Sequence, residues 1–513
     1  MYWSGSKGHF RYFIRAISPM NISTLFEVNF DPDADAPLYR QLHGALRDAI
    51  LGGRLKPGER LPSSRALGAS LGCARNTVTE AYDLLIAEGY LEGRVGAGSY
   101  VSRAFAEGWV HDRPGQPCEI PGAEPHRLSR VGITLLRMGS DSDRDTEEPR
   151  LDPIGPDPAA FPFDAWARAL ARAWRRPDPD QAFRGDPMGY PPLREAVADY
   201  LRKVRALDCM AGQVMITSGA QHALDLIARL LLDPGDAVWI EDPSYRGARA
   251  ALAAAGARAI PVPVDRNGFD AARAAMMEPD ARAAIVTPSH QFPLGVTMSL
   301  PRRMKLLEWA AEGEGWIVED DYDSEFRYTG RPIPALQGLD RARRVIYAGT
   351  FSKAMFPGLR LGYLVLPPGL VEAFRAARLL LDGHTATVGQ LAMAEFIAAG
   401  HFPAHLRRMR ALYGRRRDIM LSHLRKQLAP FLAEPPGEAG MHLLAHLREG
   451  LDDTEIVRSA AGIGINCQAL SAFHALGEPR QGLVLGFGAV PEDAIPGMVE
   501  RLTGVLRDHV AQS

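Results

Sequence analysis

The sequence GTFSKAMFPGLRLGY, residues 349–363, places one lysine in a loop between two apolar runs. Lys353 follows the hydroxyl residues Thr350 and Ser352, and Arg360 comes seven positions later. A lysine amine is a nucleophile towards a carbonyl group, and pyridoxal phosphate is the commonest carbonyl cofactor that proteins bind in this way. Hydroxyl groups and a guanidinium are also good donors to its phosphate. The stretch therefore predicts a covalent cofactor site, although a single lysine in a loop is more often a solvated charge.

Three other stretches could supply the remaining contacts of such a cofactor. In TSGAQHAL, Ala220 and Gln221 lie at a strand-to-helix turn, and helix N-termini bind anions readily. In WIVEDDYDSEF, Asp320 and Tyr322 share one side of an extended chain, so the carboxylate could hold a protonated pyridine nitrogen and the tyrosine the ring oxygen. Tyr245, in IEDPSYRGA, could stack on the ring. All of these residues follow predicted strands, at the edge where open α/β sheets bind ligands.

The elements that must position these residues alternate along the chain. Apolar runs typical of buried strands occur in AVWIEDP, AAIVTPS, GWIVEDD and RVIYAGT, separated by helical patterns such as QHALDLIARLLL and PRRMKLLEWAAE. This alternation predicts an α/β fold with a mostly parallel, doubly wound sheet. The C-terminal part is richer in long helices and ends in the strand pattern GLVLGFGAV, which favours a smaller α+β lobe.

A separate unit occupies residues 36–103. Its first segment, from Leu38 to Ile50, repeats apolar residues on one helical face, and a second helix begins at Ser63 or Ser64, which are good N-cap residues. The next helix, RNTVTEAYDLLIAEGY, starts with polar residues that could enter a major groove, and YLEGRVGAGSYV predicts a β-hairpin wing. The unit holds nine Lys or Arg and six Asp or Glu, a difference of +3, whereas the whole chain has a net charge of −2.

This unit resembles the winged-helix domain of the GntR family of bacterial transcription regulators. The resemblance rests on PLYRQL, GRLKPGERLPSSRAL, ARNTVTEAY, AEGYL and RVGAGSYV, which follow one another in the family's order. It implies a double-stranded DNA operator as partner, contacted by Arg65, Arg75, Thr77, Arg94 and Gly96. Ala74 stands where the family usually has serine, which removes a hydroxyl from the start of the recognition helix. The alternative is a domain that contacts only proteins and whose arginines are solvated.

The rest of the chain resembles the fold-type I aminotransferases, and specifically the aminotransferase-like domain of the MocR/GabR subfamily. The motifs that carry this resemblance are SGAQ, EDPSY, TPSHQFPLG, EDDYDSEFRY and GTFSKAMFPGLRLGY. The resemblance implies a Schiff base between Lys353 and pyridoxal phosphate, with Asp320 on the pyridine nitrogen and Tyr322 on the ring oxygen. It implies phosphate contacts from Ala220, Gln221, Ser352 and Arg360. It also implies a head-to-tail homodimer.

These assignments divide the chain into three regions. Residues 36–103 form the GntR-type winged-helix domain, and residues 151–510 form the domain that binds pyridoxal phosphate and an effector. Residues 104–150 contain several prolines and the charged run SDSDRDTEEPR, so we interpret them as a flexible linker. Met20 is an alternative start to Met1, because the residues between them show no structural period.

The overall composition is that of an ordinary soluble protein. Apolar residues make up 46% and charged residues 23% of the 513 residues. The four cysteines form no CxxC pair, which argues against a disulfide framework or a metal site and fits the reducing cytoplasm. No stretch predicts a signal peptide or a membrane span, so we expect no membrane partner.

Two functions are compatible with these motifs. The first is a transcription regulator whose aminotransferase-like domain senses pyridoxal phosphate, a small amine or an amino acid and alters operator binding. The alternative is an active aminotransferase that carries an accessory DNA-binding domain. Val484 stands where such enzymes usually have the arginine that holds a substrate carboxylate, which favours the regulator, although Arg246 or Arg249 could serve instead. In TPSHQFPLG, either His290 or Gln291 could approach the ring oxygen, or both could simply form a turn.

Overall fold

The computed structural model describes residues 36–94, 98–104, 128–139, 155–175, 180, 184–328, 334–433, 437–438, 440–475, 477 and 479–512. The chain divides into two compact units, Met1–His126 and Arg127–Ser513. Gly96 at the tip of the predicted wing, both candidate start residues and most of the predicted linker lie outside the described residues.

The described residues of the N-terminal unit form three helices and a hairpin. They are α1 (Leu38–Leu51), α2 (Ser64–Leu71), α3 (Arg75–Ala87), β1 (Leu91–Arg94) and β2 (Gly98–Val101). The two strands are antiparallel, with Leu91 opposite Val101. The apolar faces of all three helices pack with these two residues in one core. The prediction of two helices followed by a recognition helix and a wing is confirmed.

The two helices that follow loops in this unit begin differently. Ser63 is the N-cap of α2, and its Oγ accepts a hydrogen bond from Ala66 N at 3.2 Å. Gly72 ends this helix in the left-handed conformation, with φ of 66°. The N-cap of α3 is Ala74, which makes no side-chain hydrogen bond. The recognition helix therefore lacks the cap that stabilises its neighbour.

A seven-stranded sheet forms the centre of the larger unit. Its strands are β3 (Val214–Thr217), β4 (Ala237–Asp242), β5 (Arg258–Pro263), β6 (Ala283–Val286), β7 (Trp316–Asp321), β8 (Val345–Thr350) and β9 (Gly362–Val365). They are arranged in the order β3-β9-β8-β7-β6-β4-β5. Strand β9 runs opposite to the other six strands of this sheet, and the four remaining pairings are parallel, so the prediction of a mostly parallel sheet is confirmed.

The described residues of this larger unit include twelve α-helices. They are α4 (Arg130–Gly139), α5 (Phe163–Arg175), α6 (Pro191–Arg205), α7 (Ala220–Leu231), α8 (Arg246–Ala255), α9 (Ala271–Met277), α10 (Leu300–Glu312), α11 (Val371–Leu381), α12 (Thr387–Ala398), α13 (His401–Gln427), α14 (Asp453–Gly462) and α15 (Ile495–Gln512). Helices cover both faces of the sheet: Ile317 packs in one core cluster with Leu306 of α10, whereas the next residue, Val318, packs in another with Leu224 of α7. This alternation is the two-residue period of a strand buried on both sides.

A smaller antiparallel sheet lies near the C-terminus. Its strands, in the order β10-β11-β13-β12, are β10 (Gly437–Glu438), β11 (His442–His446), β12 (Gln468–Ala469) and β13 (Gly482–Gly486). Residues of β11 and β13 share the largest core cluster with α13 and α15. This is the smaller α+β lobe that the sequence predicts.

Helix α4 lies within the stretch that we interpret as a linker. It packs against α8, and the Arg246 Nη2 atom of α8 donates a hydrogen bond of 2.7 Å to the carbonyl oxygen of Met138. The described part of the chain contains no helix that is both long and apolar enough to span a bilayer.

Candidate functional site

The ends of three strands meet at one edge of the large sheet. Gly362, the first residue of β9, pairs with Thr350 at the end of β8 and with Thr217 at the end of β3. An added Cβ at Gly362 would lie 3.0 Å from Gly219 Cα. This close approach explains the glycine, and it brings the turn before α7 against the loop that contains Lys353.

Lys353 lies in the tight turn that follows β8. Met355 N donates to Phe351 O at 2.7 Å and closes this turn. Burial raises the pKa of Asp320 on β7 and lowers that of His442 on β11, and the positive charge of Lys353 opposes the first shift and adds to the second. The lysine that the sequence singles out therefore lies within electrostatic range of the predicted carboxylate.

The Asp320 side chain is buried at the end of β7. Burial, followed by the charges of Asp321 and Asp323, raises the pKa of Asp320 to about 7, and Lys353 opposes this rise. Its Oδ1 atom is buried and has no hydrogen-bonding partner among the described residues. Buried polar atoms are normally hydrogen-bonded. A protonated pyridine nitrogen is the kind of donor that this oxygen lacks, so the residue fits the predicted cofactor.

The N-terminus of α7 and Arg360 form a cradle for an anion. Helix α7 begins at Ala220, and the first amides of a helix have no partner within the helix. Gly219, with φ of 101°, precedes it, and an added Cβ there would lie 3.3 Å from the guanidinium of Arg360. At the end of β8, Thr350 Oγ1 donates a hydrogen bond of 3.1 Å to Ser352 Oγ. These donors fit a phosphate group.

Tyr245 and Gln221 lie next to each other above this cradle. Tyr245 donates to Gln221 Oε1 at 3.4 Å, and Gln221 Nε2 donates to Gly247 O at 2.9 Å. Burial is the main cause that raises the pKa of Tyr245, followed by the charge of Asp320, while Arg360 lowers it. The charges of both the Asp320 carboxylate and the Arg360 guanidinium therefore act on this phenol.

Tyr322 contacts a histidine that follows β6. Its hydroxyl oxygen lies 2.9 Å from His290 Nδ1, which is also 2.9 Å from each carboxylate oxygen of Asp323. Gln291 instead donates to Glu241 and to Pro243 O. The sequence leaves open whether His290 or Gln291 approaches the ring oxygen. In the structure His290 contacts Tyr322, whereas Gln291 forms hydrogen bonds with β4 and the residue after it.

Sequence reasoning missed two buried acids of this site, Glu241 and Asp323. The pKa of Glu241 is raised to about 7. Burial is the main cause, the charge of Asp320 adds to it, and hydrogen bonds from Thr287 and Gln291 oppose the rise. Asp323, with 1% of its side chain exposed, accepts from His290. Both acids lie in the motifs EDPSY and EDDYDSEFRY, yet their spacing alone does not reveal their partners.

The residues weighed as a carboxylate clamp have other contacts. Val484 is fully buried in a cluster with Leu444, Leu470 and Phe473. Arg246 donates to Met138 O, and Arg249 Nη1 donates to His474 O at 3.1 Å.

The predicted DNA contacts lie on the surface of the N-terminal unit. Arg65 on α2 and Arg75 at the start of α3 are exposed, and Arg75 Nε donates to Ser64 Oγ at 3.4 Å. Thr77 is half-buried in the first turn of α3. Arg94, at the end of β1, lies 4.6 Å from the ring centre of Tyr100. The described residues thus place basic side chains at the recognition helix and at the wing.

Comparisons with known proteins match both units. Residues 38–101 match the family described as bacterial regulatory proteins, gntR family, and residues 156–485 match aminotransferase class I and II. The probable rhizopine catabolism regulatory protein MocR of Rhizobium meliloti is 41% identical over 472 residues, which cover 90% of this chain and 92% of that protein. The HTH-type pyridoxine biosynthesis transcriptional regulator PdxR of Corynebacterium glutamicum is 32% identical, covering 91% and 96%.

A solved structure matches the larger unit. The kynurenine aminotransferase of Pyrococcus horikoshii, solved in complex with PMP, has a TM-score of 0.65 at 31% identity, covering 75% of this chain and 95% of that one. Both matched families occur here in one chain, and relatives with this arrangement match it over nearly its whole length. The chain therefore belongs to the MocR/GabR-type subfamily of GntR transcription regulators, in which a winged helix-turn-helix domain is fused to an aminotransferase-like domain.

Proposed function

We propose that this protein is a DNA-binding transcription regulator whose aminotransferase-like domain binds pyridoxal phosphate and changes operator affinity in response to the cofactor, an amine, or both. The observation that carries the proposal is the Oδ1 atom of Asp320. This atom is buried and accepts no hydrogen bond from the described residues, and the charge of Lys353 acts on its carboxyl group. We assign residues 36–103 to DNA binding, 104–150 to the linker, and 151–510 to effector binding.

Each predicted residue has one task towards the cofactor. Lys353 would hold it covalently, Asp320 would pair with its protonated nitrogen, and Tyr322 would donate to its ring oxygen. The phosphate would be held by Ala220, Gln221, Ser352 and Arg360, with Tyr245 against the ring. When bound, pyridoxal phosphate supplies an aldehyde that captures amines and a ring that withdraws electrons from them. The chain's own contribution is to orient this group and to exclude water from its nitrogen.

The surroundings of Val484 support a ligand without an α-carboxylate. Phe292 packs against the apolar cluster that contains Val484, and its ring lies edge-on to Tyr322 with 5.7 Å between ring centres. Apolar surface therefore reaches the predicted ring-oxygen side of the site. A carboxylate placed against it would lose its hydration without a charged partner. We infer an amine of low polarity, or pyridoxal phosphate itself, as the effector.

The contact between α8 and α4 supports a route from the site to the DNA-binding domain. Tyr245 is the N-cap of α8, and the next residue, Arg246, holds Met138 O in α4. Helix α4 lies at the N-terminal end of the larger unit and within residues 104–150, which we assign to the linker. A ligand that displaces Tyr245 would disturb this hydrogen bond and so change how the linker is held.

The partners that we propose are an operator in double-stranded DNA and a second copy of this chain. The gntR-family match supports the operator, and two copies would present two recognition helices to two half-sites. A head-to-tail homodimer in the cytoplasm completes this proposal.

The deciding experiment is the visible absorption spectrum of the purified protein after addition of pyridoxal phosphate and dialysis. Lys353→Ala is the test variant, and Lys305→Ala, an exposed lysine paired with Glu308, is the matched control. We expect a visible band that the control keeps and Lys353→Ala loses. Operator affinity is measured on the same samples with DNA fragments selected by the wild-type protein.

A panel of amines then separates the regulator from the enzyme. A regulator is expected to show a band that shifts with one amine and then stops, together with changed operator affinity. Continued bleaching that a keto acid restores, with operator affinity unaltered by cofactor or amine, would instead identify an aminotransferase and overturn the proposal.

A further inference from the structure

The contacts of Tyr322 define which way its hydroxyl hydrogen points. Asp323 follows it in the chain, and His290 reaches both residues from the loop after β6. One nitrogen, His290 Nδ1, lies 2.9 Å from three oxygens: the Tyr322 hydroxyl and both carboxylate oxygens of Asp323. The other ring nitrogen, Nε2, is buried and has no hydrogen-bonding partner among the described residues.

These distances favour one tautomer of His290. An ionised carboxylate only accepts hydrogen bonds, so Nδ1 must carry a hydrogen to bond with Asp323. A second hydrogen on Nε2 would be a buried donor without an acceptor, which is unfavourable. The imidazole is therefore neutral, with its single hydrogen on Nδ1. Tyr322 then faces an N–H group, so its oxygen accepts and its own hydrogen is free to point elsewhere.

The charged and titratable groups around Tyr322, Asp323 and His290 are consistent with these hydrogen positions. Burial is the main cause that raises the pKa of Tyr322 well above its usual value, and four acids raise it further: Asp320, Asp321, Asp323 and Glu241. Tyr322 therefore keeps its hydrogen. The ring of His442 lies 5.5 Å from that of His290, and burial is the main cause that lowers the pKa of His442 to about 4. His442 is therefore neutral as well.

We propose that Asp323 and His290 are positioning residues that direct the hydroxyl hydrogen of Tyr322 towards the ring oxygen of the cofactor. This inference rests on the proposed binding of pyridoxal phosphate. Asp323 fixes the hydrogen of His290 on Nδ1, and this hydrogen prevents Tyr322 from donating to the histidine. Asp323 and His290 thereby affect the pKa of the bound cofactor, which is the pH at which it releases the proton shared by its ring oxygen.

The test is a pH titration of the visible spectrum of the cofactor-bound protein and three variants. A hydroxyl that donates to the ring oxygen stabilises its negative charge and lowers the midpoint, so Tyr322→Phe is expected to raise it by about one pH unit. In Asp323→Asn the amide donates to Nδ1 and reverses the tautomer, as the same exchange does in serine proteases. Tyr322 would then donate to His290, and the midpoint is also expected to rise.

The direction of the shift separates positioning from plain electrostatics. Removal of a negative charge near a cationic group lowers its pKa, so Asp323→Asn acting only through charge would lower the midpoint. Adding His290→Phe to Asp323→Asn removes the acceptor that diverts the hydrogen and is expected to return the midpoint to the wild-type value or below. A lowered or unchanged midpoint in Asp323→Asn, or no rescue by His290→Phe, would overturn the proposal.

A second measurement needs neither a folded variant at Asp323 nor the cofactor. The ¹⁵N shifts of labelled histidine report which ring nitrogen carries hydrogen, and the His290→Phe spectrum identifies the signals of His290. We expect a hydrogen on Nδ1 and none on Nε2, and the reverse would overturn the proposal. A wild-type protein without any visible band would refute cofactor binding instead, while the tautomer remains measurable.

Discussion

The cofactor site and the DNA-binding surface hold their charged residues in opposite environments. At the cofactor site, Asp320 and Glu241 are buried, and burial raises the pKa of both to about 7. On the N-terminal unit, Arg65, Arg75 and Arg94 are exposed at the ends of helices and a strand. The first set of residues is placed by long-range packing, and the second by local structure.

This difference has an energetic consequence. A buried carboxylate oxygen that accepts no hydrogen bond, such as Oδ1 of Asp320, destabilises the folded chain until a ligand supplies the missing donor. An exposed arginine is solvated, so it does not destabilise the folded chain when no DNA is bound. We therefore expect substitutions at the cofactor site to trade ligand affinity against stability, and substitutions on the DNA-binding surface to change affinity alone.

The largest effect is expected for Asp320→Asn, which tests the first half of this comparison. Loss of a buried charge pair typically costs about 3–5 kcal/mol, so the affinity for pyridoxal phosphate should fall by at least a hundredfold. The cofactor-free protein should instead become more stable, because an amide is cheaper to bury than a carboxylate. Fluorescence titration measures the affinity, and thermal unfolding of the cofactor-free protein measures the stability.

Asp225→Asn is the matched control for this variant. Asp225 lies on α7 and pairs with the exposed Arg229, so its exchange should change neither quantity appreciably. Reduced affinity together with reduced stability in Asp320→Asn would mean that Asp320 has a structural role, and the comparison would fail.

The next largest effect is expected for Arg75→Ala on the DNA-binding surface. Loss of a side chain that contacts DNA should weaken operator binding by about 1–3 kcal/mol, which is about 5- to 150-fold, without lowering the unfolding temperature. If Arg75 contacts a phosphate, the slope of affinity against salt should also fall by about one. Arg47→Ala on α1, outside the recognition helix and the wing, serves as the control. A destabilised unit would show that Arg75 supports the fold.

The free energy of unfolding of the cofactor-free protein should depend on pH, because the larger unit contains buried carboxyl groups with raised pKa values. Burial raises the pKa of four carboxyl groups to about 7: Glu241, Glu319, Asp320 and Glu325. In the unfolded chain such groups ionise near pH 4, so between about pH 4 and pH 7 the folded state binds more protons. Burial lowers the pKa of His405 and His442 to about 4, so these two groups act in the opposite direction between about pH 4 and pH 6.5. The four carboxyl groups outnumber them, so stability is expected to fall as pH rises through this window and to level off above it.

Thermal unfolding at a series of pH values measures this trend. Bound cofactor would supply a partner for Asp320, so the loaded protein and Asp320→Asn should both show a shallower decline than the cofactor-free wild type. An unfolding temperature that rises between pH 5 and pH 7 would show that the buried carboxyl groups are paired rather than destabilising.

The two regions also differ in how well the sequence predicts them. The N-terminal unit follows from local signals, such as the cap at Ser63 and the left-handed Gly72. The strands and the pair Asp320 and Tyr322 follow from two-residue periodicity. In contrast, His290 and Asp323 are 33 positions apart and meet only because β6 and β7 are neighbours in the sheet. No local pattern encodes that meeting, which is why His290 remained one of two candidates.

Elements that depend on neighbours escaped prediction for the same reason. Strand β9 runs antiparallel between β3 and β8, an orientation that its own residues do not encode. Helix α4 lies in a stretch whose prolines and charges suggest only a linker. Its backbone is held by Arg246, a residue more than a hundred positions away.

The smallest effect is expected for Ala74→Ser, which sharpens the comparison within the N-terminal unit itself. Ser63 caps α2, whereas Ala74 leaves the first turn of α3 uncapped. A serine N-cap typically stabilises a helix by about 0.5–2 kcal/mol relative to alanine. Because this turn carries Arg75 and Thr77, a better-ordered turn should raise operator affinity by a few-fold at most. Hydrogen exchange of the first amides of α3 measures the capping directly in the full-length protein.

Ser63→Ala provides the reciprocal variant. It should accelerate hydrogen exchange in the first turn of α2 by a factor similar to that by which Ala74→Ser slows it in α3, because each exchange changes one N-cap hydroxyl. Slower exchange in Ala74→Ser without any gain in DNA affinity would mean that the order of this turn does not limit binding. The exposed arginines alone would then determine how strongly this surface holds DNA, which is the strictest form of the contrast with the buried cofactor site.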